Sequence, residues 1–93
     1  ARYKNMNAKI VKFRARINKI DRAIIKKIAQ RIFIAQEIGK IKKDVGLKLA
    51  DRQREKELSV LHIRWSREFG IDVDLIKHIF TEIINKSKSK QKL

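Results

Sequence analysis

Apolar residues recur through the first half of the chain in steps of three and four, at Ile10, Phe13, Ile17, Ile20, Ile24 and Ile28, and the same line picks up again at Ala35 and Ile38. Such spacing lines one face of a 3.6-residue helix. Gly39 is the only breaker between Ala8 and Lys43, so the pattern predicts one helix over about 8–43, roughly 54 Å long at 1.5 Å per residue. Two shorter helices of the same chain cannot cover so long a stripe, and a second copy of the chain is the expected partner. The segment 44–50, Asp44-Val45-Gly46-Leu47-Lys48-Leu49-Ala50, reads as a loop. Gly46 permits a left-handed turn there, with Leu47 and Leu49 tucked inward. A second helix is expected over about 51–69, with Asp51 as N-cap and Gly70 just past its end. Asp72 or Asp74 caps a third over about 72–88, striped by Ile76, Ile79, Phe80, Ile83 and Ile84. The basic C-terminal tail from Lys86, KSKSKQKL, carries weak helix signals and is expected to fray.

Polar residues on these apolar stripes are the informative exceptions. At 100° per residue, Arg31 and Lys42 project near the centre of the first helix's apolar face, and Arg14 falls at its edge. On the second helix Arg54 opens the series Arg54, Leu58, Leu61, Trp65, with Glu55 beside it. On the third, Ser87 and Gln91 continue the line of Phe80 and Ile84. Long Arg and Lys stems can snorkel from a core edge, which accounts for any one of these residues alone. Several buried cations with only Glu55 and Asp51 to offset them would cost several kcal/mol per unpaired ion. A small anionic ligand among them removes that cost, and guanidinium forks suit carboxylates in particular.

Composition narrows the class. The 93 residues suit a single domain, 1–93, and a chain this short buries little surface alone. With no proline, no cysteine and three glycines, the fold class is all-α, and a disulfide framework or thiolate metal site is excluded. No segment has the roughly 20 apolar residues of a membrane span, and a soluble cytoplasmic protein is expected. Lys and Arg number 25 against 10 Asp and Glu, a net charge of +15, which would suit nucleic acid, an anionic membrane or a small anionic substrate. The basic residues are dispersed and the aromatics sit at core spacing, so a nucleic-acid partner is not favoured. His62 and His78 are too isolated for a metal site, the Asp72-x-Asp74 pair fits capping better than cation binding, and Trp65 fits packing.

The runs FRARINKID, IAQRIFIAQEIGKIKK, DRQRE and IFTEIINKSKSKQ, in this order and at these separations, resemble the AroQ-class (all-α) chorismate mutases from about Val11 to Gln91. The family's binding positions are filled by Arg14, Arg31, Lys42, Asp51, Arg54, Glu55, Ser87 and Gln91. The resemblance implies an intertwined homodimer of three-helix chains with two equivalent sites, each taking Arg14 from the other subunit. It implies that chorismate, a dicarboxylate of the shikimate pathway, is rearranged to prephenate on the way to phenylalanine and tyrosine. Arg14 and Arg31 would clamp the carboxylates, Lys42 and Gln91 would donate to the ether oxygen, and Glu55 would accept from the ring hydroxyl. Arg54, Asp51 and Ser87 would assist in positioning. A concerted pericyclic shift needs no metal, cofactor or nucleophile, only orientation and stabilisation of charge on the ether oxygen.

Three other functions compete with this one. A lyase of the same fold would remove pyruvate from isochorismate, and Glu55, placed to read the chorismate hydroxyl, favours the mutase. A basic helical dimer could bind nucleic acid through phosphates, with steep salt dependence. A noncatalytic module that kept the fold would bind chorismate without converting it.

Overall fold

The computed structural model describes the backbone of residues 2–48 and 51–91 and the side chains of residues 5–48 and 51–88. Three α-helices follow one another: α1 Arg2–Asp44, α2 Arg52–Glu68 and α3 Val73–Gln91. No strand occurs among the described residues. Helix α1 begins earlier than the apolar stripe requires, and α3 runs three residues beyond 88 through part of the basic tail. Neither extension contains Gly or Pro, and their Arg, Lys, Met and Gln residues are good helix formers, so nothing local stops the helix. At 43 residues α1 is about 64 Å long.

Local chemistry sets the helix ends. Asp51 has an extended backbone, and its carboxylate accepts from Arg54 N at 3.0 Å while its carbonyl takes the first helical bond from Glu55 N. This is the N-cap expected from the sequence. Asp72 does the same work for α3, its carboxylate accepting from Asp74 N at 3.4 Å and its carbonyl from Ile76 N. The C-termini of α1 and α2 close alike. Leu47 N donates to the Lys42 carbonyl at 2.7 Å and Gly46 N to that of Lys43; Ile71 N donates to Ser66 at 2.9 Å and Gly70 N to Arg67. Each pair of bonds is a Schellman closure, which puts its C′ residue in the left-handed region. Gly46 at φ 75° and Gly70 at φ 64° fill those positions. Leu47, expected to tuck inward, is instead exposed. Leu49 lies outside the described residues.

The chain falls into two compact units, residues 1–31 and 32–93. In the first, every described side chain from Asn5 to Lys27 is exposed, including the stripe residues Ile10, Phe13, Ile17, Ile20 and Ile24. In the second, α2 packs along α3. Leu58, Leu61 and Ile63 from one helix, and Val73, Ile76, Phe80, Ile83 and Ile84 from the other, are half-buried. The His62 ring lies 4.1 Å from that of Phe80 and 6.2 Å from that of Trp65, centroid to centroid. His62 is thus a packed residue of the hairpin, and Trp65, read as a core residue, is exposed on one side. Among the described residues no large apolar side chain is fully buried, and no helix is long and apolar enough to cross a membrane.

Candidate active site

The first turn of α2 carries three of the residues singled out in the sequence. Because Asp51 caps the helix through the Arg54 amide, Arg54 and Glu55 are held in successive helical positions with their side chains about 100° apart. They serve different neighbours. Arg54 makes an i,i+3 ion pair with Glu57 at 3.8 Å, with both side chains more than half exposed. A pair of that kind contributes at most about 1 kcal/mol, so Arg54 can be recruited elsewhere at little cost. Glu55 faces α3, where its Oε1 accepts from the Lys88 ammonium at 2.5 Å.

Glu55 and Lys88 border a cavity of about 420 Å³ between α2 and α3. Leu58, Phe80 and Ile84 give it apolar lining, and Ser59, His62, Lys77, Thr81 and Asn85 add polar groups. Its volume falls within the range of small-molecule sites, and an apolar lining with a few convergent polar groups is the usual character of such sites. Of the candidates named from the sequence, Glu55 is the one that lines it among the described residues. Ser87, one position before Lys88, is buried at 3% exposure, and its hydroxyl donates to the Ile83 carbonyl at 2.8 Å. That bond is the back-bonding habit of helical serine; Ser66 repeats it with His62 at 2.6 Å. Committed to the backbone, the Ser87 hydroxyl keeps acceptor capacity only.

On α1 the stripe exceptions separate from their neighbours. Arg31 and Lys42 are half-buried, whereas Lys26, Lys27, Lys40 and Lys43 are exposed, as expected for two cations at the centre of an apolar face rather than on its flank. Arg14, at the edge, is exposed. Lys42 sits in the last turn of α1, where a cation is favoured by the helix dipole. Arg14 and Arg31 belong to the first unit, and Lys42, Asp51, Arg54, Glu55 and Ser87 to the second. Gln91 closes α3, and its side chain lies outside the described residues. Lys88 is not among the residues that the apolar stripes single out. The signal was its step of four from Ile84, itself four from Phe80, which keeps all three on the cavity side of α3.

Comparison with known proteins places this geometry in a family. Residues 13–92 match the family described as chorismate mutase type II. A chorismate mutase of Methanocaldococcus jannaschii is 31% identical over 87 residues, covering 94% of this chain and 88% of that protein. The T-protein of Enterobacter agglomerans is 23% identical over 86 residues, 92% of this chain but only 23% of its own length. No solved structure matches the chain. With its three helices, its capped α2 start and a match spanning nearly the whole sequence, the chain belongs to the chorismate mutase type II family.

Proposed function

We propose that residues 1–93 act as one catalytic domain that rearranges chorismate to prephenate, at two equivalent sites in an intertwined homodimer. Family membership over residues 13–92 is the observation that carries the reaction. The reaction breaks a carbon–oxygen bond as it makes a carbon–carbon bond, so the protein's work is to hold the compact diaxial chair and to stabilise charge growing on the ether oxygen. Arg14 and Arg31 clamp the two carboxylates. Lys42 and Gln91 donate to the ether oxygen, and Glu55 accepts from the ring hydroxyl. Asp51 positions Arg54 and Glu55 by capping α2, and Arg54 and Ser87 help to seat the substrate. An acceleration of roughly 10⁶-fold needs about 8 kcal/mol, and the cation at Lys42 supplies the largest single share.

The exposed stripe on α1 supports the dimer. Ile10, Phe13, Ile17, Ile20, Ile24 and Ile38 are between 44% and 56% exposed. Covering what remains would stabilise by about 1 kcal/mol for each residue, a gain that a second copy's matching stripe can supply along the whole helix. In that dimer Arg14 reaches the partner's site and the other groups come from one chain. Spectrophotometric depletion of chorismate, with chromatographic identification of the product, tests the activity. Prephenate is the expected product; pyruvate release from isochorismate with chorismate left intact would reassign the chain to the lyase.

A further inference from the structure

The pair formed by Glu55 and Lys88 reaches beyond the residues that the sequence singled out. Thirty-three positions separate the two in sequence, and the Lys88 Nζ donates to Glu55 Oε1 across the α2–α3 groove at 2.5 Å. The pair stands at the rim of the 420 Å³ cavity, and both residues line it. Helix position favours the arrangement on both sides. Glu55 lies in the first turn of α2, where the dipole stabilises an anion. Lys88 lies three residues before the end of α3, where it stabilises a cation. The side chains remain 45% and 42% exposed, so the bond is too weak to serve mainly as a clasp between the helices. Its effect is geometric: with Oε1 engaged by an ammonium, the carboxylate is restricted in rotation. Oε2 has no protein partner among the described residues and is left for a ligand hydroxyl.

We propose that Lys88 is a positioning residue that acts through Glu55, fixing the carboxylate so that its second oxygen accepts the hydroxyl of a hydroxylated dicarboxylate bound beside it. The proposal rests on the mutase reading above, with Glu55 as the hydroxyl acceptor. Such a contact is made in the ground state and the transition state alike, so its loss belongs in KM rather than kcat. Steady-state kinetics on chorismate with wild type, Lys88→Met, Lys88→Arg, Glu55→Gln and the Lys88→Met/Glu55→Gln double variant test it. Lys88→Met should raise KM about fivefold with kcat within about twofold, the ceiling for a half-exposed ion pair. Lys88→Arg should stay within about twofold of wild type in both constants, because it keeps the donor. In the Glu55→Gln background the methionine should add nothing, since the group it acts through is gone. An unchanged KM in Lys88→Met, an arginine variant as impaired as the methionine one, or single losses that multiply in the double variant would each overturn the proposal. Wild type that leaves chorismate intact would remove the mutase reading and this proposal together. Wild-type turnover alongside an indifferent Lys88→Met removes the proposal alone.

Discussion

In the proposed mechanism Lys42 carries the largest share of the chemistry. It sits half-buried at the end of α1, while Lys40 and Lys43 beside it are exposed, and a preorganised donor at a developing oxyanion is worth about 3 to 4 kcal/mol. Lys42→Ala should lower kcat by roughly 10²- to 10³-fold in a chorismate-depletion assay; a loss below tenfold would move the electrostatic role elsewhere. Gln91→Ala should lower kcat more than it raises KM, because a donor to the ether oxygen acts on charge that exists only in the transition state. An unchanged turnover number would show that the end of α3 takes no part in the site. Some of this was legible residue by residue. The cations that interrupt the α1 stripe, Arg31 and Lys42, are the ones half-buried there, because periodicity reports which face a side chain occupies. Partner choice was not legible. The Ser87 hydroxyl goes to its own helix backbone, the local bond open to any helical serine, and Glu55 meets Lys88 from 33 positions away, an outcome of packing that local spacing does not encode.

At the scale of elements, short-range chemistry wrote the helix boundaries into the sequence. Asp51, Gly46 and Gly70 act through backbone groups within a few residues, which is why their roles could be read without a fold. The extent of α1 and α3 was harder to see, since their end residues include no Gly or Pro to mark where each helix stops. Two stability measurements check the account. Asp51→Ala removes a satisfied cap and should destabilise by about 1 kcal/mol in urea unfolding, with a further loss of activity because Arg54 and Glu55 ride on that turn. Gly70→Ala meets nothing within 4 Å of its added Cβ, so its whole cost is the left-handed backbone, about 1 kcal/mol. Gly70→Asn should recover part of that loss, as Asn tolerates this region better. Equal stability of wild type and Gly70→Ala would mean that the turn relaxes to another conformation.

For the whole molecule, the apolar face of α1 and the net charge of +15 make separate demands. The stripe asks for a partner helix. Charge of that sign draws in a dianion, so kcat/KM should fall as salt rises while kcat holds nearly constant; a salt-independent kcat/KM would show that steering plays no role. The proposed dimer joins the two scales, since in it each site would take Arg14 from one chain and Lys42 from the other. Complementation between inactive variants measures this directly. Arg14→Ala and Lys42→Ala, unfolded together in equal amounts and refolded, form mixed dimers in which one site carries both lesions and the other carries none. Random pairing makes half the dimers mixed, so the mixture should recover about a quarter of wild-type specific activity. Activity no higher than the mean of the two variants alone would contradict a site shared between subunits.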